Sequence, residues 1–247
     1  MIDIHAHLLM DDLENRTSDE SKNLLKKMIQ KDFDTIIAIS EYHPSISELD
    51  IINNREKGLD ILLRNIYEET DIVTLMTGSE VSLDQNILPL LERNVIQLLG
   101  SSNYLLVKYP KKMQVYSAVN KIVNLKTNGI TPIITNVDRT FRFLSPIKAL
   151  IQAGALIQID YLSVLGLNEK ANQHLALKLL KKGMVDLLAS NISCEYDKIL
   201  SEKFSLEDQI KRYISGDIYN RVMFENPMNV IENNSIENLA FQKKKRL

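Results

Sequence analysis

The sequence predicts a barrel of alternating β-strands and α-helices. Short apolar runs alternate with longer amphipathic segments from one end to the other, and seven such pairs fit within 247 residues. No linker, internal repeat or low-complexity tract interrupts them. Parallel strands need crossover connections, which are right-handed and usually helical. An open doubly wound sheet uses the same units, but their regularity suits a compact (β/α)7 barrel better. In such a barrel the strand C-termini form the functional face.

The first strand is the apolar run Met1-Ile2-Asp3-Ile4 leading into His5-Ala6-His7. Side chains alternate along a strand, so His5 and His7 point the same way and Ala6 the other. The first helix starts with Thr17 or Ser18 as N-cap, has Asp19 and Glu20 in its first turn, and spaces Leu24, Leu25, Met28 and Ile29 helically. The β-branched run Thr35–Ser40 is the second strand. A long helix follows over Glu48–Glu69. Ile72–Glu80 is the third strand, followed by a short helix near Gln85–Arg93. Tyr104–Tyr109 is the fourth strand, stopped by Pro110. The helix Val115–Thr127 ends at Asn128-Gly129, a pair suited to a left-handed cap. Thr131–Asn136 is the fifth strand, with Pro132 near its start. A helix over Pro146–Ala153, a strand over Ala155–Asp160, a helix over Glu169–Lys182 and a strand over Met184–Ser190 complete the set. Helices over Leu206–Ile214 and Gly216–Phe224 and a segment after Pro227 close one barrel domain over residues 1–232. Residues 233–247 read as a basic tail, with Lys243–Arg246 its charged run.

Composition excludes several classes. The hydrophobic share is 45%, enough for a large core. Thirty basic residues nearly balance 32 acidic ones, and no glycine-rich phosphate loop occurs, so nucleic acid is not an expected partner. One cysteine, Cys194, excludes an internal disulfide and suits a reducing cytoplasm. The chain shows no signal-peptide pattern and no apolar run near the ~20 residues that span a bilayer. A cytoplasmic protein is expected, held at most peripherally to a membrane through the basic tail, where each basic residue adds about 1 kcal/mol of attraction to anionic lipid.

The strand ends carry the candidate chemistry: His5, His7, Ser40-Glu41, Glu80, Lys108, Asn136, Asp160 and Asn191. Two imidazoles projecting together suit a metal ion, and Glu80 adds a carboxylate. Of the other two histidines, His174 lies in an amphipathic helix and reads as a surface residue. His43 reads equally as a loop histidine or a replacement ligand. Tyr42 and Tyr109 read as space fillers, and Cys194, without a basic neighbourhood, as inert.

The opening Ile2-Asp3-Ile4-His5-Ala6-His7 and the strand end Gly78-Ser79-Glu80 resemble the PHP (polymerase and histidinol phosphatase) superfamily, within it the bacterial capsule-locus protein-tyrosine phosphatases. Gly129–Ile134, Asp138-Arg139, Gly154–Gln158 and Asn226-Pro227 follow in matching order, so the likeness runs from Met1 to about Asn229. It implies a distorted (β/α)7 TIM-like barrel, the PHP fold, with a cluster of divalent metals, commonly manganese, at the strand C-termini. It also implies hydrolysis of phosphotyrosine on the tyrosine-rich tail of a kinase that regulates capsule or exopolysaccharide assembly, and assembly into oligomers in some relatives.

Carried over residue by residue, His5, His7 and Glu80 match metal ligands, Asp12 is a displaced match in an acidic turn, and Arg139 matches an arginine suited to phosphate. Five positions depart: Glu41, Asn136, Asn191 and Ser193 replace ligands, and Lys108 stands where a bridging glutamate belongs. An ammonium repels divalent cations and offers no lone pair, so Lys108 is expected to pair with Glu80 or Glu41 instead. The implied site is vestigial or holds one divalent ion, manganese or zinc, without the full cluster. The leading reading is a catalytically impaired or inactive member retained for binding. The alternatives are a residual phosphatase with one metal on His5, His7 and Glu80, and a barrel repurposed for another ligand.

Overall fold

The structure is a computed structural model that describes residues 1–9, 17–69, 73–167, 170–193 and 206–241. Its strands are β1 (Ile2–Ala6), β2 (Thr35–Glu41), β3 (Thr74–Ser82), β4 (Tyr104–Lys108), β5 (Thr131–Thr135), β6 (Leu156–Asp160) and β7 (Leu187–Ala189). They pair in sequence order, and every pair is parallel. Beyond β7, the Ile192 carbonyl accepts from the His7 N–H at 2.9 Å, and Ala6 bridges Ile192. The seven parallel strands therefore form a nearly closed barrel, as the alternation of segments predicts.

The helices cover its outside: α1 (Ser18–Ile29), α2 (Glu48–Glu69), α3 (Ile87–Glu92), α4 (Val115–Thr127), α5 (Val137–Thr140), α6 (Leu144–Gln152), α7 (Tyr161–Leu165), α8 (Lys170–Lys181), α9 (Leu206–Lys211), α10 (Gly216–Asn220) and α11 (Asn226–Ile231). Thr17 caps α1 in a reciprocal box with Glu20. Two helices were not foreseen, α5 and α7. They follow β5 and β6 directly and are 4 and 5 residues long, too short to show a helical period. The expected break between 224 and 227 is instead one π-helical turn, Arg221–Glu225, that joins α10 to α11. Pro227 lies at the start of α11, directly after this π-turn. β7 is shorter than the apolar run, because its ladder with β6 covers only Leu187–Ala189.

Alternation along the strands divides the core. Ile2, Ile4, Ile37, Ile39, Leu106, Ile133, Leu156, Leu187 and Ala189 fill the barrel interior. Ala6, Ile36, Ala38, Leu105, Val107, Ile134, Ile157, Ile159 and Leu188 face outward and pack under the helices. Gly78 is required by a close approach: a Cβ there would stand 2.6 Å from Leu99 Cδ2 and 3.3 Å from the Leu99 Cα. Residues 233–241, expected to begin a tail, turn back along the strand N-termini. Asn233 Oδ1 accepts from the Asn103 N–H at 2.8 Å, and the Asn238 amide donates to the Asp186 carboxylate at 2.8 and 3.0 Å. The run Lys243–Arg246 lies outside the described residues.

Arg55 ties α2 to the loop ahead of the Leu99 crossing. Its buried guanidinium donates to the Val95 and Asn94 carbonyls, each at 2.8 Å. Arg55→Leu removes both charge-assisted bonds and leaves two carbonyls unpaired, so we expect a loss of about 3 kcal/mol in urea unfolding. The midpoint should move with little change in slope.

Candidate metal centre

The site begins with an irregularity in β1. Asp3 pairs with Ile36 and Ala6 with Ala38, so three steps along β1 match two along β2. Ile4 faces the interior, yet His5 turns inward as well, and only then does alternation resume with Ala6 outward and His7 inward. Buried Asp3 holds this bulge: its Oδ1 accepts from the His5 N–H at 3.2 Å and the Ser190 N–H at 3.1 Å. The Ser190 hydroxyl donates to the His5 carbonyl at 3.2 Å and accepts from the Ile192 N–H at 3.1 Å. Simple alternation foresees the shared direction of the two histidines but not the bulge that aims them.

His5, His7 and Glu80 come together, with one ligand atom from each within 4.8 Å of the others. The two Nε2 atoms are 3.1 Å apart. His5 Nε2 is 3.6 Å from Glu80 Oε1, and His7 Nε2 is 3.9 Å from Glu80 Oε2. Glu80 Oε1 also accepts from the Thr135 hydroxyl at 2.6 Å. Gln158 Nε2 lies 2.8 Å from His5 Nδ1, and Asn191 Oδ1 lies 3.1 Å from His7 Nε2. The Asn191 amide donates to Asn136 Oδ1 at 3.3 Å and to Asp160 Oδ2 at 3.1 Å. Arg139 donates to the same Asp160 oxygen.

Lys108 meets both carboxylates expected of it. Its Nζ lies 2.6 Å from Glu41 Oε1 and 3.2 Å from Glu80 Oε2. Burial opposes the charge on Glu80, but His5, Lys108 and His7 outweigh it and hold the carboxyl well below its ordinary range. Burial likewise pulls Lys108 down, and Glu80 and Glu41 more than reverse it. For His5, burial works downward and the charges of Glu80, Asp160 and Asp3 raise it. Asp138 is pushed up to about 6 by burial and by the charge of Asp160.

The donors fit one divalent cation: two imidazole nitrogens and a carboxylate converge, and a cation there would share Glu80 Oε2 with the Lys108 ammonium. They do not fit a cluster among the described residues, because an ammonium stands between Glu41 and Glu80. Asp12 and Cys194 lie outside the described residues. Glu41 serves Lys108. His43 is exposed and bonds Ser45 at 2.6 Å, away from the group. Asn136 and Asn191 adopt left-handed backbone, φ 57° and 46°, a conformation asparagine tolerates better than most residues. Both therefore serve as strand exits. Ser193 is buried beyond them. Tyr109 packs edge-on against Phe141 with centroids 4.6 Å apart, and exposed His174 is a surface histidine on α8. Asp3, Thr135 and Gln158 were not singled out by sequence. Their signal was a polar side chain inside an apolar strand, which must find a partner when buried.

The fold and site together define a (β/α)7 barrel with a candidate metal-binding group at its strand C-termini. Residues 1–232 match the family described as capsular polysaccharide synthesis, CpsB/CapC. The chain belongs to that family. It is 28% identical over 200 residues to CapC of Staphylococcus aureus, covering 77% of this chain and 76% of the relative. It is 26% identical over 202 residues to the tyrosine-protein phosphatase CpsB of Streptococcus pneumoniae, covering 78% and 82%. Crystal structures of YwqE from Bacillus subtilis and CpsB from Streptococcus pneumoniae are described as those of metal-dependent tyrosine phosphatases; a chain from that work superposes with a TM-score of 0.82 at 22% identity, over 100% of both chains, which establishes the shared fold.

Two outcomes follow from the charges. Lys108→Glu gathers three carboxylates, so without metal we expect about 2 kcal/mol lower stability, discounted because the lysine is 35% exposed. Added manganese or zinc should raise the melting temperature of this variant more than that of the wild type. Glu80 titrates lower folded than its ordinary value of 4.5. Its contribution is therefore present above pH 4.5 and is lost as pH falls below it. Urea midpoints measured downward from pH 4.5 should fall, and Glu80→Gln should flatten that fall.

Proposed function

We propose that this chain is a catalytically impaired member of the family. On this reading it binds the phosphorylated, tyrosine-rich tail of a kinase that controls capsule or exopolysaccharide assembly. The observation that carries the reading is Lys108, whose ammonium bridges Glu41 and Glu80 where relatives of the PHP type are expected to hold a metal-bridging glutamate. One ion cannot clamp both the attacking and the leaving oxygen of a phosphoryl transfer as paired metals do. Lys108 is committed to two carboxylates and neutralises Glu80 rather than a substrate.

Binding asks less of the site. Arg139, anchored on Asp160 and 29% exposed, offers a guanidinium edge to phosphate oxygens. A tail tethered to a membrane kinase would meet the protein in the cytoplasm, where the run Lys243–Arg246 would favour anionic lipid. A second reading, residual hydrolysis, is supported by the convergence of His5, His7 and Glu80. A divalent ion there, manganese or zinc, would supply a Lewis acid and lower the pKa of water. His5, His7 and Glu80 would hold it, and Thr135 would fix the Glu80 carboxylate.

Elemental analysis together with turnover of p-nitrophenyl phosphate tests both readings. We expect no more than one divalent ion per chain and turnover at least 100-fold below that of Streptococcus pneumoniae CpsB assayed alongside. Several ions per chain with manganese-dependent turnover near that of CpsB would overturn the proposal. Arg139→Lys keeps the charge but loses the planar fork. It should weaken binding of a phosphotyrosine peptide about tenfold in titration calorimetry.

A further inference from the structure

The amide of Gln158 is placed to decide which nitrogen of His5 carries hydrogen. Gln158 is fully buried on β6, and its amide meets His5 Nδ1 at 2.8 Å. The other ring nitrogen, Nε2, faces His7 Nε2 at 3.1 Å and Glu80 Oε1 at 3.6 Å. The two faces of the ring are therefore linked through one choice of tautomer.

Two arrangements satisfy that contact. If the amide NH2 faces Nδ1, then Nδ1 is the acceptor and the hydrogen of a neutral ring sits on Nε2, where it blocks a cation. The amide oxygen is then left buried with no hydrogen-bond donor, as Gln158 Oε1 is in this structure. Turning the amide exchanges that orphan oxygen for an unpartnered NH2, so the choice is made by the direction of the His5 Nε2 lone pair and not by the amide's own satisfaction. If the amide is turned by half a rotation, Oε1 accepts from Nδ1–H, and the Nε2 lone pair faces Glu80 and His7. Only the second arrangement leaves His5 able to ligate through Nε2. Metal-binding histidines commonly have their second nitrogen fixed by such an acceptor.

We infer that Gln158 is the positioning residue of this centre, its Oε1 accepting from His5 Nδ1–H and so keeping the His5 Nε2 lone pair directed at the space shared with His7 and Glu80. The Gln158 rotation moves no heavy atom of the ring, because amide nitrogen and oxygen exchange places about one bond. The backbone around His5 is set separately by Asp3 and Ser190, whose bonds to the His5 N–H and carbonyl fix the ring's root but not its tautomer. Orientation and tautomer thus have different owners. The inference deepens the single-cation reading and rests on it only for its effect on affinity.

Long-range 1H–15N correlation spectra of imidazole-labelled protein test it, with His5 assigned by a His5→Gln variant. We expect hydrogen on His5 Nδ1 in the metal-free protein and, after zinc addition, Nδ1–H with a metal-shifted Nε2. Gln158→Leu should weaken zinc binding 10- to 100-fold in competition with a chromogenic chelator. Gln158→Glu, which keeps an acceptor, should restore affinity to within about threefold of wild type. Metal-free melting curves show whether each variant folds; if Gln158→Leu does not, the wild-type spectra carry the test. An unprotonated His5 Nδ1 in the metal-free protein, or folded Gln158→Leu binding zinc as tightly as wild type, overturns the inference. Failure of the wild type to bind zinc would instead remove the single-cation reading, while the metal-free spectrum still decides the role of Gln158.

Discussion

Glu80 is the charge around which the upper half of the barrel is arranged. A carboxylate with no exposed surface costs several kcal/mol to remove from water unless positive charge and hydrogen-bond donors replace its hydration. Four side chains do so here: His5, His7, Thr135 and Lys108. They come from β1, β5 and β4 and from the residue just beyond β1. The inward directions of those segments are therefore tied to one negative charge. Glu41 enters the same account because Lys108 spans both carboxylates and needs the second to balance its burial.

This arrangement explains how the barrel keeps a polar interior on side chains of its own. A bound ion would compensate Glu80 only when loaded, whereas an ammonium on the chain compensates it always. Lys108 reaches the carboxylate from β4, a strand adjacent to β3 in the sheet, so no rearrangement of the backbone is needed. Asn136 and Asn191 are also occupied, with each other and with Asp160 and His7. The two asparagines are joined in a hydrogen-bonded network. Such a network favours one rigid geometry, provided its members are satisfied.

Below this polar layer the interior is apolar. Ile2, Ile4, Leu106, Ile133, Leu156 and Leu187 occupy it, with Val230 and the partly buried Ile231 and Ile236 packed against them. In β1 to β6 the last inward residue is polar, whereas β7 ends on Ala189. The bulge in β1 marks the junction. It allows Ile4 to belong to the lower layer and His5, its neighbour in sequence, to the upper one. Asp3 and Ser190 satisfy the backbone groups that the bulge would otherwise leave unpaired. A polar residue inside an apolar run, easily passed over in sequence, thus supports the geometry of two candidate ligands.

Much of the architecture was legible from local pattern. Thr17 as N-cap, the delivery of Glu80 and Lys108 near the C-termini of β3 and β4, and the common direction of His5 and His7 each depend on a few neighbouring residues and on the periods of strand and helix, although β3 runs on to Ser82 and β4 stops one residue before Tyr109. The short helices α5 and α7 were not legible, because one turn of helix carries no period. Neither was the partner of Arg139, which reaches Asp160, 21 residues onward, rather than its neighbour Asp138. By itself, the sequence determined the seven βα units and the residues delivered to the strand ends, a lysine on β4 among them. Only the tertiary structure decided that Lys108 bridges Glu41 and Glu80 together, that a bulge turns His5 inward, and that Gln158, 153 residues away, meets its ring. Those contacts arise from barrel closure, which brings together residues whose spacing along the chain carries no record of their distance in space.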